Sequence, residues 1–186
     1  MEADWEVEIG ADAPVIDAEW PGLVDLRSNP KRVEEIQEAR RFPALAETLI
    51  YLNSGDPVPL SAIWTSKCDL WTLEDWDPYE MDAKPEESQF GLGCYIDLLH
   101  RDESCFGDLS CVETWVRGYV SHLRQTACCC CRADLVLRRA VNGTLEGFGI
   151  TAYISACGRD NDAAEEALAA ALTAFAGAIV GSSMKR

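Results

Sequence analysis

The chain has 186 residues, enough to bury a core as one domain spanning 1–186 with no second unit. Its composition, 48% hydrophobic and 26% charged, is that of a globular protein and excludes a disordered polar chain. Sixteen basic against thirty-two acidic residues leave a formal net charge of −16; direct nucleic-acid binding is not expected of such a chain, because phosphate contacts need clustered Lys and Arg.

The imbalance is local. Residues 1–26 carry eight acids and no base, and residues 68–87 carry eight acids against Lys84. The other 140 residues hold sixteen acids and fifteen bases, so they are close to neutral. A general solubility device would spread carboxylates over every exposed surface. The first residues, Met1-Glu2-Ala3-Asp4-Trp5-Glu6, are acidic where an export signal is basic and then apolar. The most apolar stretch, Ala163 to Val180, contains Glu165 and Glu166, so neither a leader nor a membrane span is expected, and the expected compartment is the cytoplasm. An odd count of nine cysteines then points to reduced thiols.

Asp4 to Ile9 alternates, with Trp5, Val7 and Ile9 on one side and Asp4, Glu6 and Glu8 on the other, which predicts a half-buried strand. After Gly10 and Pro14, Val15 to Trp20 is expected to return beside it as a hairpin, ended by Pro21-Gly22. Asn29-Pro30 reads as a helix start, with Asn as the cap. Pro43 should kink or restart that helix, which ends at Ser54-Gly55. Leu60 to Thr65 reads as a strand.

A long acidic segment follows, at about 68–90, broken by Pro78 and Pro85 and read as a loop with one helical turn. Leu92, Cys94, Ile96 and Leu98 then alternate in a strand ending near His100. Ser110 with Glu113 forms a capping box for a helix whose apolar stripe runs from Val112 to Leu123. Asn142-Gly143 predicts a hairpin turn, with Arg139 opposite Glu146, Leu137 opposite Phe148 and Leu135 opposite Ile150. A last helix from about Asp160 to Gly181 packs through Leu168, Leu172, Phe175 and Ile179. The fold class is therefore α+β: a mostly antiparallel sheet of five or six strands with three or four helices packed mainly on one side.

No catalytic constellation stands out, and no cofactor or metal is implied. Neighbouring side chains of Cys128-Cys129-Cys130-Cys131 point apart in a strand, whereas a tetrahedral zinc site uses spaced pairs. These four are expected to be small buried residues leading into the hairpin. Gly91-Leu92-Gly93 and Gly147-Phe148-Gly149 lack the third glycine and the lysine of phosphate loops. A Cys paired with His100 or His122 keeps open a second reading, an enzyme or metal-binding protein. A third is a structural or assembly protein for which the carboxylates mark a docking face.

The acidic loop differs from a merely solvated one because its carboxylates are interleaved with large aromatics. Asp69, Glu74, Asp75, Asp77 and Glu80 would steer and pair with basic groups, and Trp71, Trp76 and Tyr79 would supply desolvated anchors. The competing explanation turns the tryptophans back onto the core. The expected function is a binding protein whose partner is basic: an inhibitor covering the active cleft of a cationic effector such as a nuclease toxin. In that charge logic alone the chain resembles small acidic immunity proteins; no motif carries the resemblance further.

Overall fold

The computed structural model describes residues 1–18, 24, 26, 29–54, 60–65, 69–71 and 76–183. Among these, one sheet is built from β1 (Glu2–Glu8), β2 (Ile16–Asp17), β3 (Leu60–Thr65), β4 (Asp69–Trp71), β5 (Phe90–His100), β6 (Cys131–Asn142) and β7 (Leu145–Gly158). The order across it is β1-β6-β7-β5-β3, with β2 also on β6 and β4 also on β5. Each edge lane is thus shared by two short pieces, and the sheet is five strands wide. Its interior is antiparallel, while β1 and β2 both run parallel to β6. The fold is α+β, as the sequence pattern indicates.

The expected hairpin of the first two strands does not form. Ile16 and Asp17 pair with Ala140 and Val141 in the same lane and direction as β1, so the segment between them displaces the chain sideways without reversing it. Asn29 accepts the Lys31 N–H and caps a 3₁₀ turn over Pro30–Glu35, and Pro43 does restart the chain, separating α1 (Gln37–Arg41) from α2 (Pro43–Leu52). Next come α3 (Glu103–Phe106), α4 (Leu109–Leu123) and α5 (Asn161–Ser183). The capping box expected at Ser110 is replaced by Asp108, whose carboxylate accepts the Ser110 N–H and starts α4 one residue before it. The last helix continues past Gly181 to Ser183. No described helix is long and apolar enough to cross a membrane.

The hairpin of β6 and β7 turns at Gly143 and Thr144, with Asn142 opposite Leu145. Gly143 takes φ 64°, the backbone that glycine supplies at the first loop position of a type II′ turn. Leu137 therefore faces Ile150 and Leu135 faces Ala152, two residues from the register expected with Asn142-Gly143 as the loop. The shift preserves the side on which each residue lies.

On one face of the sheet Leu135, Leu137, Ile96, Leu98, Ile150 and Ile154 meet α2, α4 and α5 in a single apolar cluster. Leu168, Leu172, Phe175 and Ile179 of α5 are fully buried there. The Tyr119 ring of α4 meets Phe175 edge-on at 5.3 Å, and its hydroxyl donates to the Phe175 carbonyl. Within β1, Trp5 joins this cluster but Val7 is 44% exposed, past the reach of the helices. The opposite face carries two small apolar caps. Ile16, Leu99, Ala140 and Phe106 of α3 close one end; Met81, Ala83 and Cys157 close the other. The polar surface between these caps is the functional candidate.

Candidate functional site

Register sets this surface in rows across β1, β6, β7 and β5: Glu6, Val136, Thr151 and Asp97 in one, then Asp4, Asp134, Tyr153 and Tyr95 in the next. Placing Asp4 opposite Asp134 puts like charges side by side, which a sheet disfavours. Arginines offset it: Arg132 Nε donates to Asp134 at 2.7 Å, and Arg124 lies 3.4 Å from Asp4. Arg132 also lies 3.9 Å from Glu80. Its pKa is raised first by the hydrogen bond to Asp134, against the cost of burial, and then by the charges of Asp134, Glu80 and Asp4. The two acidic stretches, 76 positions apart in sequence at Asp4 and Glu80, thus come near one guanidinium, Glu80 directly and Asp4 as the cross-strand neighbour of Asp134.

The residues expected to bind a partner are spread over several settings. Asp69 and Trp71 belong to β4, paired with Gly93 and Gly91 of β5. Glu74 and Asp75 lie outside the described residues. Trp76 is half-buried and folds back on the sheet beside Met81, Ala83 and Cys157. A Cβ on Gly91 would come within 2.8 Å of its indole, so the glycine is the seat on which the tryptophan rests. Its indole N–H is buried without an acceptor among the described residues. The Asp77 carboxylate accepts the Tyr79 N–H at 3.0 Å and caps a 3₁₀ turn over Pro78–Met81. That turn leaves Tyr79 75% exposed and Glu80 directed toward Arg132. The expected loop is therefore partly sheet and partly 3₁₀ turn, pinned by one of its own aromatics.

Sequence reasoning missed a second polar group on the same surface. Asp97, in the middle of β5, is only 8% exposed. Thr151 donates its hydroxyl to Asp97 Oδ1 at 2.6 Å. Burial pushes the Asp97 carboxyl above the ordinary carboxylate range, although the Thr151 hydrogen bond and the Arg138 charge pull the other way. Arg138 reaches over from β6, donating through Nη1 to Thr151 at 3.3 Å and to the Tyr153 hydroxyl at 3.2 Å. Its Nε and Nη2 both donate to Glu8 of β1, at 3.0 and 2.7 Å. Burial of the Tyr95 phenol, with Asp97, Tyr153 and Glu38 nearby, pushes it up to about 12. A cavity of about 510 Å³ lies here, with the Pro14 to Asp17 segment as its opposite wall. The signal was present in β5, where Asp97 sits between buried Ile96 and Leu98. Reading it required the pairing of β5 with β7.

The cysteine run does not behave as four buried residues. Cys131 is buried at the start of β6, but Cys129 is exposed and Cys128 and Cys130 are half-buried. The pleat begins only at Cys131, and Cys130 takes φ 56°, so the preceding residues turn outward. Cys128, Cys129, Cys130 and Cys157 line a cavity of about 880 Å³ beside α5. Burial first, with neighbouring thiols, pushes Cys157 up to about 12 and Cys130 upward, so both are held protonated. Cys105 and Cys111 are joined by a disulfide that ties α3 to α4, so the expectation of uniformly reduced thiols is not met. Among the described residues no group of three or more His, Cys, Asp or Glu is placed to hold a metal ion. His100 accepts the Asp102 N–H at the end of β5, and His122 lies in the last turn of α4.

Comparison of the chain with models of known families, with characterised proteins and with solved structures gives no match.

Proposed function

We propose that the chain is an acidic binding protein of the cytoplasm whose sheet face opposite the long helices docks on a basic protein, as an inhibitor covering the phosphate-binding cleft of a nuclease-type effector would. The observation that carries this reading is that Arg132 holds Asp134, which lies beside Asp4 on the neighbouring strand, while Glu80 of the other acidic stretch lies 3.9 Å from the same guanidinium. Carboxylates along β1 have a simpler use, since charged side chains protect an edge strand from pairing with other chains. That use accounts for Glu2, Asp4 and Glu6, but not for Asp77 and Glu80, which arrive from the other acidic stretch. Clustered carboxylates raise the rate of encounter with a cationic surface, and a projecting aromatic supplies affinity. Tyr79 fits the anchor role, while Trp76 holds the segment in place.

The test is association kinetics with the product of the neighbouring gene or with a basic nuclease, from low to high salt. The variant combining Glu2→Gln, Asp4→Asn, Glu6→Gln and Glu80→Gln is expected to slow association about tenfold at low salt and to flatten its salt dependence. Unchanged kinetics in that variant overturn the assignment of the face.

A further inference from the structure

Among the described residues Asp97 is a carboxylate without a counter-ion. The described residues give it one hydrogen bond, from Thr151, and no cation within ion-pair distance. Burying a charge on these terms is costly, because a single neutral hydroxyl replaces a full hydration shell. The nearest guanidinium is committed elsewhere: Arg138 directs Nε and Nη2 to Glu8 and Nη1 to Thr151 and Tyr153. With four of its five N–H donors used and its charge paired with Glu8, Arg138 is a poor receptor for an anion. Asp97 instead presents acceptor capacity to a cavity of about 510 Å³. One wall is aromatic, with the Tyr95 and Tyr153 rings 6.0 Å apart and inclined at 48°. A carboxylate beside aromatic rings is the combination that receives organic cations, through charge and ring quadrupole together.

We propose that this cavity binds an alkylammonium or guanidinium group, with the positive charge on Asp97 and the attached carbon chain against Tyr95 and Tyr153. The cation supplies the missing counter-charge and leaves the Glu8–Arg138 pair in place. The group can come from a free amine or from a Lys or Arg side chain of a docked protein. Only the second source rests on the docking face argued above, and small cations test the cavity without any partner.

The experiment is calorimetry and amide-shift mapping on the full chain with butylammonium, methylguanidinium, butyrate and butanol as probes. The cations are expected to bind in the millimolar range and to move the amides of Asp97, Thr151 and Tyr153. Butanol and butyrate are expected to bind at least about tenfold more weakly. Asp97→Asn is expected to reduce cation binding about tenfold or more. Equal binding of all four probes, shifts confined to other strands, or undiminished binding by Asp97→Asn overturns the site. Shift mapping on the unmodified chain keeps the test decisive if that variant fails to fold. Lysine and arginine capped at both backbone ends separate the sources. Binding as tight as that of the small cations identifies a protein side chain, and exclusion identifies a free amine. A protein that binds these cations yet ignores basic partners upholds the cavity and overturns the docking face, and the reverse result does the opposite.

Discussion

The two faces of the sheet are made by the same strands and obey different rules. On the helix side, residues of β5, β6 and β7 such as Ile96, Leu135 and Ile150 are essentially inaccessible and belong to one apolar cluster. On the other side the intervening residues Asp97, Arg138 and Tyr153 exchange hydrogen bonds and charge, and packing is confined to two small caps. Alternation along a strand therefore divides labour residue by residue. One parity holds the domain together, and the other is available for recognition.

The largest expected effect falls on the packed side. Phe175→Ala removes a fully buried ring that also meets Tyr119, and about 3–5 kcal/mol should be lost in urea unfolding. A loss below about 1 kcal/mol would mean that the helical face is not the main source of stability. Intermediate in size is Gly91→Ala, whose new methyl must displace the Trp76 indole from 2.8 Å. It should cost about 1–3 kcal/mol and shift tryptophan emission to the red as the acidic segment lifts. Emission that stays put would show that the segment is held by something other than this seat.

The smallest effect, and one of opposite sign, is expected at Asp97. Burial raises its folded-state pKa above the ordinary value of 3.8, so the folded chain holds this proton more tightly than the unfolded chain does. Below 3.8 both states are protonated and the residue is neutral in the balance. As pH rises from there through the folded value, ionisation subtracts from stability, and the loss is complete above it. Asp17, Tyr95, Tyr153, Thr151 and Arg138 line the same cavity, and of these the Thr151 hydrogen bond and the Arg138 charge moderate this loss. Asp97→Asn should therefore raise the urea midpoint at pH 7 and leave it unchanged near pH 3. A lowered midpoint at pH 7 would place Asp97 among the stabilising residues and blur the division between the faces.

The packed side was largely legible in the sequence. The stripe from Val112 to Leu123 and the spacing of Leu168, Leu172, Phe175 and Ile179 locate α4 and α5, because a helix repeats its buried face by sequence spacing alone. The register of β6 and β7 differs from the expected one by two residues, since a glycine with φ 64° serves at the first loop position as well as at the second. Strand neighbours distant in the chain left no such mark. That β2 joins β6 in parallel, or that Asp97 meets Thr151, follows from pairings between residues 124 and 54 positions apart. For the same reason Arg132 could not be recognised as the cation that holds Asp134 beside Asp4 and lies 3.9 Å from Glu80. Trp76 was legible as an aromatic in an acidic setting, but its direction depended on the absence of a side chain at Gly91.

The Glu8–Arg138 pair links the first strand of the chain to the cavity in a way that a list of contacts does not express. While β1 is seated, Glu8 draws the guanidinium toward the sheet edge and Asp97 is left to other cations. Were β1 to peel away, Arg138 would lose its stronger acceptor and its charge would be released toward Asp97. Occupation of the cavity and seating of the edge strand are thus coupled equilibria, and the coupling is reciprocal. A cation held at Asp97 would lower the tendency of β1 to fray, and hydrogen exchange of the β1 amides would report the occupancy of a site on the other side of the arginine.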